Sequence, residues 1–261
     1  GVRAARHEFV VIADDDVRWD RLGLEHAMAL VGDSDLVRPQ NVFSPLPWHA
    51  RWDTARSLVN RAFGADYPGT YALRRSTFEA AGGYDGDVLF ENLEMARTLR
   101  AVGGREISAA WLYVRRTPPT TRHFLGQRTR QAYDDLAQPA RLVAEMALLP
   151  VGLLTLRRVH SAMPGGEAIA LIVAVLGSIG LGELGRRRHG GGVVYAPTAA
   201  LWTPVWLAER ACCVWLAVLH RLLGGMPYGG QRIRVAAHSN RQIQRRYASL
   251  SEGTSKRRSL R

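Results

Sequence analysis

The stretch VVIADDDVRW, residues 10–19, begins as an apolar, β-branched run and stops at three consecutive carboxylates. The run predicts a buried strand over residues 7–13, and Asp14, Asp15 and Asp16 follow directly at its end. Like charges this close repel one another, and desolvating them is costly unless a cation or hydrogen-bond donors compensate. The cluster therefore predicts a partner, for which a hard divalent cation is the obvious choice.

The residues that follow the cluster exclude a calcium-binding EF-hand. Counting from Asp14, the fifth ligand position is Arg18, and the sixth, where the sharp turn needs glycine, is Trp19. What remains is an Asp-x-Asp pair, Asp14 and Asp16, holding a metal that also binds a diphosphate. Taken alone, so short a pattern is better interpreted as an acidic turn before a helix, whose N-terminal dipole favours Asp.

The 261 residues change in character along the chain. Up to about residue 138, strands alternate with helices, which predicts a layered α/β domain with a largely parallel sheet. Helices are expected over residues 20–31, with Asp20 as the cap, over residues 92–102 and over residues 121–137. In the last of these, Gln127, Arg130 and Gln131 share one face and can converge on one ligand. Beyond it, apolar runs cover residues 143–156, 168–184 and 193–223. The first two are shorter than the roughly 20 residues of a comfortable membrane span, and the third is long enough to be a hairpin.

Basic clusters bracket these runs, and tryptophans within them suit membrane interfaces. We therefore expect a membrane-associated helical region over residues 139–230 and a basic, disordered tail over residues 231–261. A helical subdomain with a buried core is the alternative. The formal charge of +12 also suits nucleic acid, but the basic residues mostly flank apolar segments, which disfavours it. The adjacent Cys212 and Cys213 give neither a disulfide framework nor zinc spacing, which fits a reducing compartment.

Two later stretches, LFENLEMARTLRAVGG (89–104) and RHFLGQRTRQAY (122–133), extend the pattern. The order resembles the family 2 glycosyltransferases, particularly the processive and ceramide-glucosyltransferase-like membrane members. Their pattern is a strand ending in D-x-D, an acidic E-D motif opening a helix, and Q-x-x-R-W before membrane helices. The stretch YPGTYALRRSTFEAAGGYD (67–85) also resembles the acceptor side of that family.

The resemblance implies a GT-A, Rossmann-like fold with a mostly parallel sheet and flanking helices. Residues 1–138 would form the C-terminal part of that catalytic domain, followed by the membrane helices. The nucleotide-binding first half of the domain is then expected to be missing from this chain. Two residues depart from the family pattern: Asn92 stands at the usual catalytic Asp, and Gln131 at the usual Trp.

The resemblance also implies roles for individual residues. The reaction would be inverting transfer of a sugar from a UDP- or GDP-sugar to a lipid, lipid-linked or glycan hydroxyl. Mg²⁺ or Mn²⁺ would bind Asp14 and Asp16 and act as a Lewis acid. The expected site residues are Glu91 and Glu94 as candidate bases, Gln127 and Arg130 at the diphosphate, and Gly69 and Trp48 on the acceptor side. The expected location is the plasma membrane, with several spans and a cytoplasmic catalytic domain.

Two other functions stay open at this stage. A nucleotidyltransferase-like enzyme would use the same strand-end Asp pair and a metal on a sugar nucleotide. A degenerate, non-catalytic membrane scaffold is the other, because Asn92 cannot accept a proton as a base. The nucleotidyltransferase-like enzyme would need neither a membrane tail nor the Gln127 and Arg130 arrangement.

Overall fold

The computed structural model describes residues 1–247, which build a mixed five-stranded sheet and a two-stranded hairpin. The strands of the large sheet are β1 (Phe9–Ala13), β2 (Val17–Arg18), β3 (Leu36–Phe43), β4 (Thr70–Arg74) and β5 (Glu106–Arg116). Their spatial order is β1-β4-β3-β5-β2. Strand β1 therefore lies at one edge, and its C-terminal end carries the three carboxylates.

The expectation of a mostly parallel sheet is wrong. Strands β3 and β5 pair in parallel, but β4 runs antiparallel to both β1 and β3, and β2 runs antiparallel to β5. Helix α2 (Trp48–Phe63) follows β3, and its Leu58 lies in one apolar cluster with Ala199 and Ala200 of the C-terminal region and with Val42 and Tyr113 of the sheet. Because β3 and β4 run in opposite directions, the connection through α2 leaves and re-enters the sheet at the same end.

Two helices cover the two faces of the sheet. Helix α1 (Arg21–Gly32) begins where predicted, with the Asp20 side chain accepting a 2.7 Å hydrogen bond from the Gly23 N–H. It packs on the face that carries Val37 and Ala72. After the short α3 (Arg75–Ala80), helix α4 (Glu91–Ala101) packs on the face that carries Leu36 and Leu73. Neighbouring residues of a strand point to opposite faces, so the two helices sandwich the sheet.

The single helix predicted over residues 121–137 is two short helices. These are α5 (Thr121–Gly126) and α6 (Arg128–Tyr133), followed by a 3₁₀ turn over Asp134–Ala137. The break falls at Gly126 and Gln127, where glycine weakens helix continuation because its unfolded backbone is so free. The chain changes direction at this break, and the polar side chains of α6 still lie beside the end of the sheet.

The C-terminal region contains helices α7 (Pro139–Ala162), α8 (Glu167–Arg187) and α9 (Thr203–Leu222). Two segments of the described chain, Pro139–Ala162 and Glu167–Val193, are long and apolar enough to cross a membrane. Only 6% and 11% of their most apolar windows are buried, so neither behaves as a core helix. The two segments resemble membrane-spanning helices in length and in composition.

The expectation that residues 193–223 form a hairpin is wrong. An irregular stretch leads into one helix, α9, whose buried residues Trp206, Arg210, Val214 and Ala217 lie along one face. The two charges that interrupt the apolar run explain the docking, because each pairs with the α/β part. Glu209 lies 3.5 Å from Arg128 Nη1, and Arg210 lies 3.0 Å from an oxygen of Asp135.

Helix α8 meets α2 at unusually close range. A Cβ built on Gly185 would lie 1.8 Å from the Leu58 carbonyl oxygen, so only glycine fits there. The fully buried Arg61 of α2 donates hydrogen bonds to the carbonyl oxygens of Gly185 and of Ala110 in the sheet, at 3.2 and 2.8 Å. These carbonyl contacts satisfy a guanidinium that has no carboxylate partner among the ion pairs of residues 1–247, and they fasten α8 to the sheet.

After α9 the chain forms a hairpin of β6 (Met226–Tyr228) and β7 (Gln231–Ile233) and returns to the start of α4. The backbone N–H groups of Leu89 and Phe90 donate to the carbonyl oxygens of Val235 and Ala236 at 3.0 and 2.7 Å. The expectation of a disordered tail over 231–261 is therefore wrong for residues 231–247. The remainder, residues 248–261, lies outside the described part.

Candidate active site

A cavity of about 520 Å³ lies at the C-terminal end of β1. Its wall combines side chains from the sheet ends, from α2, from α4 and from the α5–α6 segment. Most of the predicted site residues line it: Asp14, Asp16, Gly69, Glu91, Gln127 and Arg130. Glu94 and Trp48 are not among the residues that line it.

The partner of the strand-end carboxylates is an arginine from the far end of β5. Arg116 Nε lies 2.9 and 2.8 Å from the two carboxylate oxygens of Asp16, and its Nη2 lies 3.2 Å from Asp14. Burial raises the pKa of the Asp14 carboxyl above its usual value, although the Arg116 charge opposes the change. One guanidinium thus balances two carboxylates, and the site keeps an excess of negative charge.

Gly69 lets the Asp14 carboxylate occupy its position. The Asp14 N–H donates to the Gly69 carbonyl at 2.8 Å, and the Gly69 N–H donates to Asn41 Oδ1 at 2.8 Å. A Cβ on residue 69 would stand 2.0 Å from an Asp14 carboxylate oxygen. Any side chain there would push Asp14 out of place, so Gly69 shapes the carboxylate site directly.

The carboxylate site fits a divalent metal that is shared with a ligand. Within residues 1–247 no group of three or more His, Cys, Asp or Glu side chains is arranged to hold a metal alone. Mg²⁺ and similar hard cations, however, are often held by one or two carboxylates together with substrate phosphates. Asp14 and Asp16 supply two such carboxylates on the cavity wall, and an added cation would favour the ionised form of Asp14, whose pKa partial desolvation raises.

The two candidate bases have different surroundings. Glu91 is the first residue of α4, is exposed, and accepts a 3.1 Å hydrogen bond from the Tyr84 hydroxyl. Burial and the negative charge of Glu91 raise the pKa of Tyr84 to about 12, so the hydroxyl keeps its proton and stays a donor. Glu91 is therefore a carboxylate at the cavity, held by one neighbour.

Glu94, the other candidate base, does not line the cavity. Its side chain is 2% exposed and accepts a 2.7 Å hydrogen bond from the backbone N–H of His238. Its other oxygen lies 2.9 Å from the His238 ring Nδ1. The return of the chain to α4 covers this position, so Glu94 fixes the C-terminal segment.

Asn92 has a structural role that an aspartate could not take. Its Nδ2 donates a 2.9 Å hydrogen bond to the carbonyl oxygen of Pro68, immediately before Gly69. A carboxylate has no proton to donate to a carbonyl oxygen at neutral pH. Asn92 therefore holds the turn against which Asp14 is packed.

The face of the α5–α6 segment that was expected to converge on one ligand does reach the cavity. Gln127, Arg130 and Gln131 all line it. Arg130 Nη1 donates to Gln127 Oε1 at 3.3 Å, and its guanidinium carbon lies 4.9 Å above the ring centre of Tyr228 in β6. These contacts orient the guanidinium but leave its Nε without a hydrogen-bond partner in the described chain.

Trp48 belongs to an aromatic cluster instead of the cavity wall. Its ring centre lies 6.2 Å from that of Trp52 and 6.1 Å from that of Phe124. Phe124 lines the cavity, whereas Trp48, at the start of α2, packs behind it. The predicted acceptor contact from Trp48 is therefore not seen.

An ion network that the sequence did not reveal forms another part of the wall. Arg56 pairs with Asp66 at 2.9 Å and with Asp53 at 3.2 Å, and Arg128 pairs with Asp53 at 3.3 Å. Although burial opposes it, the Arg56 charge lowers the pKa of Asp66, which stays ionised. The spacing of Asp53, Arg56 and Asp66 gave no separate signal, because a charged run on a helix is usually a solvated face.

Asp134 is the second group that sequence reasoning missed. It follows α6 directly and lines the cavity, and its Oδ1 is buried without a hydrogen-bond partner among residues 1–247. Burial raises the pKa of its carboxyl to about 7, despite the nearby positive charge of Arg130. No pattern of spacing marks this residue in the sequence.

Comparison with known proteins bears on the fold. No family model matches the chain, and no curated protein matches it. A solved structure, the mannosyltransferase PcManGT from Pyrobaculum calidifontis in complex with GDP-Man and Mn²⁺, is similar, with a TM-score of 0.51 and 20% sequence identity. The two chains share a fold. The match covers 85% of this chain and 64% of that one, so this chain spans less than two thirds of the mannosyltransferase.

Proposed function

We propose that the protein is a glycosyltransferase of the family 2 type, which transfers a sugar from a nucleotide-sugar donor with inversion. The observation that carries the proposal is the cavity that brings together Asp14 and Asp16, the α6 arginine Arg130 and the exposed carboxylate Glu91. A diphosphate needs positive charge, and an acceptor hydroxyl needs a base within reach. The fold shared with a GDP-Man-bound mannosyltransferase supports the proposal.

The donor end of the site is assigned to the Asp pair. Asp14 and Asp16 would hold Mg²⁺ or Mn²⁺, which when bound acts as a Lewis acid on the leaving diphosphate. Arg130 supplies charged donors to the diphosphate oxygens, and Gln127 holds the Arg130 guanidinium in position. The proposed donor is a UDP- or GDP-sugar.

Glu91 is the base that removes the acceptor proton. It is exposed at the cavity and is the first residue of α4. The Tyr84 hydroxyl bonds one of its oxygens and leaves the other to accept the proton. In an inverting reaction the hydroxyl attacks the face of the sugar opposite the diphosphate, and Glu91 takes its proton as the bond forms.

The acceptor is a lipid, lipid-linked or glycan hydroxyl that the enzyme meets at a membrane. Helices α7 and α8 expose apolar side chains along their length, as a membrane-embedded pair would. Helix α7 begins at the cavity, because Gln138 and Arg141 both line it. A bilayer-held acceptor would therefore reach the site directly, with the plasma membrane as the proposed location and the catalytic domain on the cytoplasmic side.

Neither alternative accounts for all of these features. A nucleotidyltransferase acting on sugar nucleotides has no need of two exposed apolar helices, the first of which starts at the site. A non-catalytic scaffold has no need of an exposed carboxylate, Glu91, in the same cavity as the Asp14–Asp16 pair and Arg130. The glycosyltransferase uses both.

The test is binding and transfer with the full protein in detergent or nanodiscs. We expect GDP- or UDP-sugar binding that depends on Mn²⁺ in the wild type and is lost in Asp16→Asn. Glu91→Gln should keep binding and lose transfer, because only the base is removed. Asp33→Asn, an exposed acid at the end of α1, is the matched control. Metal-independent binding, or full turnover by Glu91→Gln, would refute the respective assignment.

A further inference from the structure

One side of α6 and the residue after it presents three polar atoms without partners. Arg130 Nε, Gln131 Oε1 and Asp134 Oδ1 are buried from solvent and make no hydrogen bond within residues 1–247. All three residues line the same cavity. Buried polar atoms in folded proteins nearly always have a partner, and three such orphans on one wall indicate a ligand that supplies the missing hydrogen bonds.

The chemistry of these atoms restricts the ligand. Gln131 Oε1 and Asp134 Oδ1 are acceptors, so the ligand must donate, and Arg130 Nε is a donor that can bond an oxygen of the same ligand. The charges that act on Asp134 are Arg130 on its own segment, Arg56 on α2, Arg210 on α9 and Asp135 beside it. Three guanidinium groups against one neighbouring carboxylate disfavour an ammonium ligand and favour a neutral donor, such as a hydroxyl group.

The position of Arg130 places those hydroxyls. Its charge acts on both the Asp14 and the Asp134 carboxyl groups, so it lies within electrostatic reach of each. Asp14 marks the diphosphate end of the cavity under the proposed function. The diphosphate of a sugar nucleotide joins the ribose of the nucleoside to the transferred sugar, and both carry hydroxyl groups. We assign the hydroxyls to the transferred sugar, because Glu91, the proposed base that must act beside its reacting carbon, lines the same cavity.

We propose that Gln131 and Asp134 bind hydroxyl groups of the sugar carried by the donor and thereby determine which sugar is transferred. The inference rests on the proposed function and adds to it the residues that recognise the sugar. Spacing supports the pairing, because residues three apart on one helical turn face the same side. Burial raises the pKa of Asp134 to about 7, as expected of a carboxyl that lacks its donor.

The test compares a sugar nucleotide with its nucleoside diphosphate, using the full protein with Mn²⁺. Affinities for GDP-mannose and GDP, and for UDP-glucose and UDP, are measured in the wild type, Asp134→Asn, Gln131→Leu and the Asp33→Asn control. We expect Asp134→Asn to weaken binding of the preferred sugar nucleotide about tenfold or more, since a charged acceptor is lost, and Gln131→Leu to weaken it about threefold to tenfold, since a neutral hydrogen bond is lost. Binding of the nucleoside diphosphate alone should not change.

Dependence on pH gives a second readout. A sugar hydroxyl that donates to ionised Asp134 must compete with the proton below pH 7. Affinity for the sugar nucleotide, relative to the nucleoside diphosphate, should therefore rise about tenfold from pH 6 to pH 8 in the wild type. The Asp134→Asn variant should not show this rise.

The outcomes separate this inference from the proposed function. A wild type that binds sugar nucleotides, with site variants that bind them equally well, overturns the sugar-binding role and leaves the transferase intact. Equal losses for the sugar nucleotide and the nucleoside diphosphate also overturn it, because they place the two residues at the diphosphate. A wild type that binds none of the four ligands overturns the proposed function, and the inference with it.

Discussion

Replacing Asp134 with Asn should stabilise the ligand-free protein, and the gain should grow with pH. The carboxyl titrates near 7 in the folded chain against an ordinary value of 3.8. The folded state binds this proton more tightly than the unfolded state. Asp134 therefore does not reduce the free energy of unfolding below about pH 4, and reduces it progressively as the pH rises to 7. Above pH 7 the full cost of the buried charge is present.

The size of the effect follows from these two pKa values. At about 1.4 kcal/mol per pH unit, the charged carboxyl costs about 2 kcal/mol at pH 5.5 and about 4 kcal/mol at pH 8. Asp134 borders the cavity, so water there screens the charge and these figures are upper bounds. The Asn variant lacks the charge, and its advantage over the wild type should increase by up to about 2 kcal/mol between pH 5.5 and pH 8.

Urea unfolding followed by tryptophan fluorescence, at pH 5.5, 7 and 8, measures the difference. Asp33→Asn, which removes an exposed charge, should track the wild type at every pH. If Asp134→Asn and the wild type keep a constant difference across this range, Asp134 does not titrate near 7 and its carboxylate has a partner. An ionised Asp134 without a partner lowers the stability of the ligand-free protein, and a bound ligand would supply that partner. This measurement therefore bears on sugar recognition.

Three further substitutions test the packing and the carboxylate site. Gly185→Ala should lower the free energy of unfolding by about 2 kcal/mol or more, because its Cβ meets a backbone carbonyl. The control Gly177→Ala lies in the same helix, where its Cβ meets nothing, and should raise that free energy by up to about 1 kcal/mol. Thermal unfolding measures both. Asn92→Asp should weaken Mn²⁺-dependent sugar-nucleotide binding instead of improving catalysis, since the donor to the neighbouring turn is lost; improved turnover would contradict this. In Arg116→Met the two strand-end carboxylates lose their guanidinium, so Mn²⁺ should raise the melting temperature more than in the wild type, and an equal rise would argue against a metal at this place.

Local sequence signals predicted the elements that hold the donor end of the site. The strand that ends at the carboxylates, the Asp20 cap of α1 and the amphipathic α4 all formed within two residues of their predicted bounds. Each depends on neighbours a few residues away, through side-chain alternation, an N-terminal hydrogen bond or helical spacing. Tertiary packing did not need to decide them.

The features that sequence reasoning missed all depend on distant residues. Strand β4 runs antiparallel to β3, and α2 between them packs on C-terminal residues more than 100 positions later; a pattern of alternating strands and helices carries no sign of either. Arg116 is 100 residues from Asp16, so nothing near the Asp triplet announces it. Glu209 and Arg210 look like interruptions of a membrane run until their partners in the α/β part are known.

The Arg116 contact changes how the strand-end carboxylates should be understood. A cluster that needs a cation in order to fold would be expected to hold metal at all times, but here a guanidinium meets that need within the chain. Because one positive charge balances two carboxylates, the remaining negative charge attracts a divalent ion only weakly until further oxygen ligands arrive. Under the proposed function those ligands are the donor's phosphates, so metal and sugar nucleotide should bind together, and Mn²⁺ affinity measured without a nucleotide should be much weaker than with one.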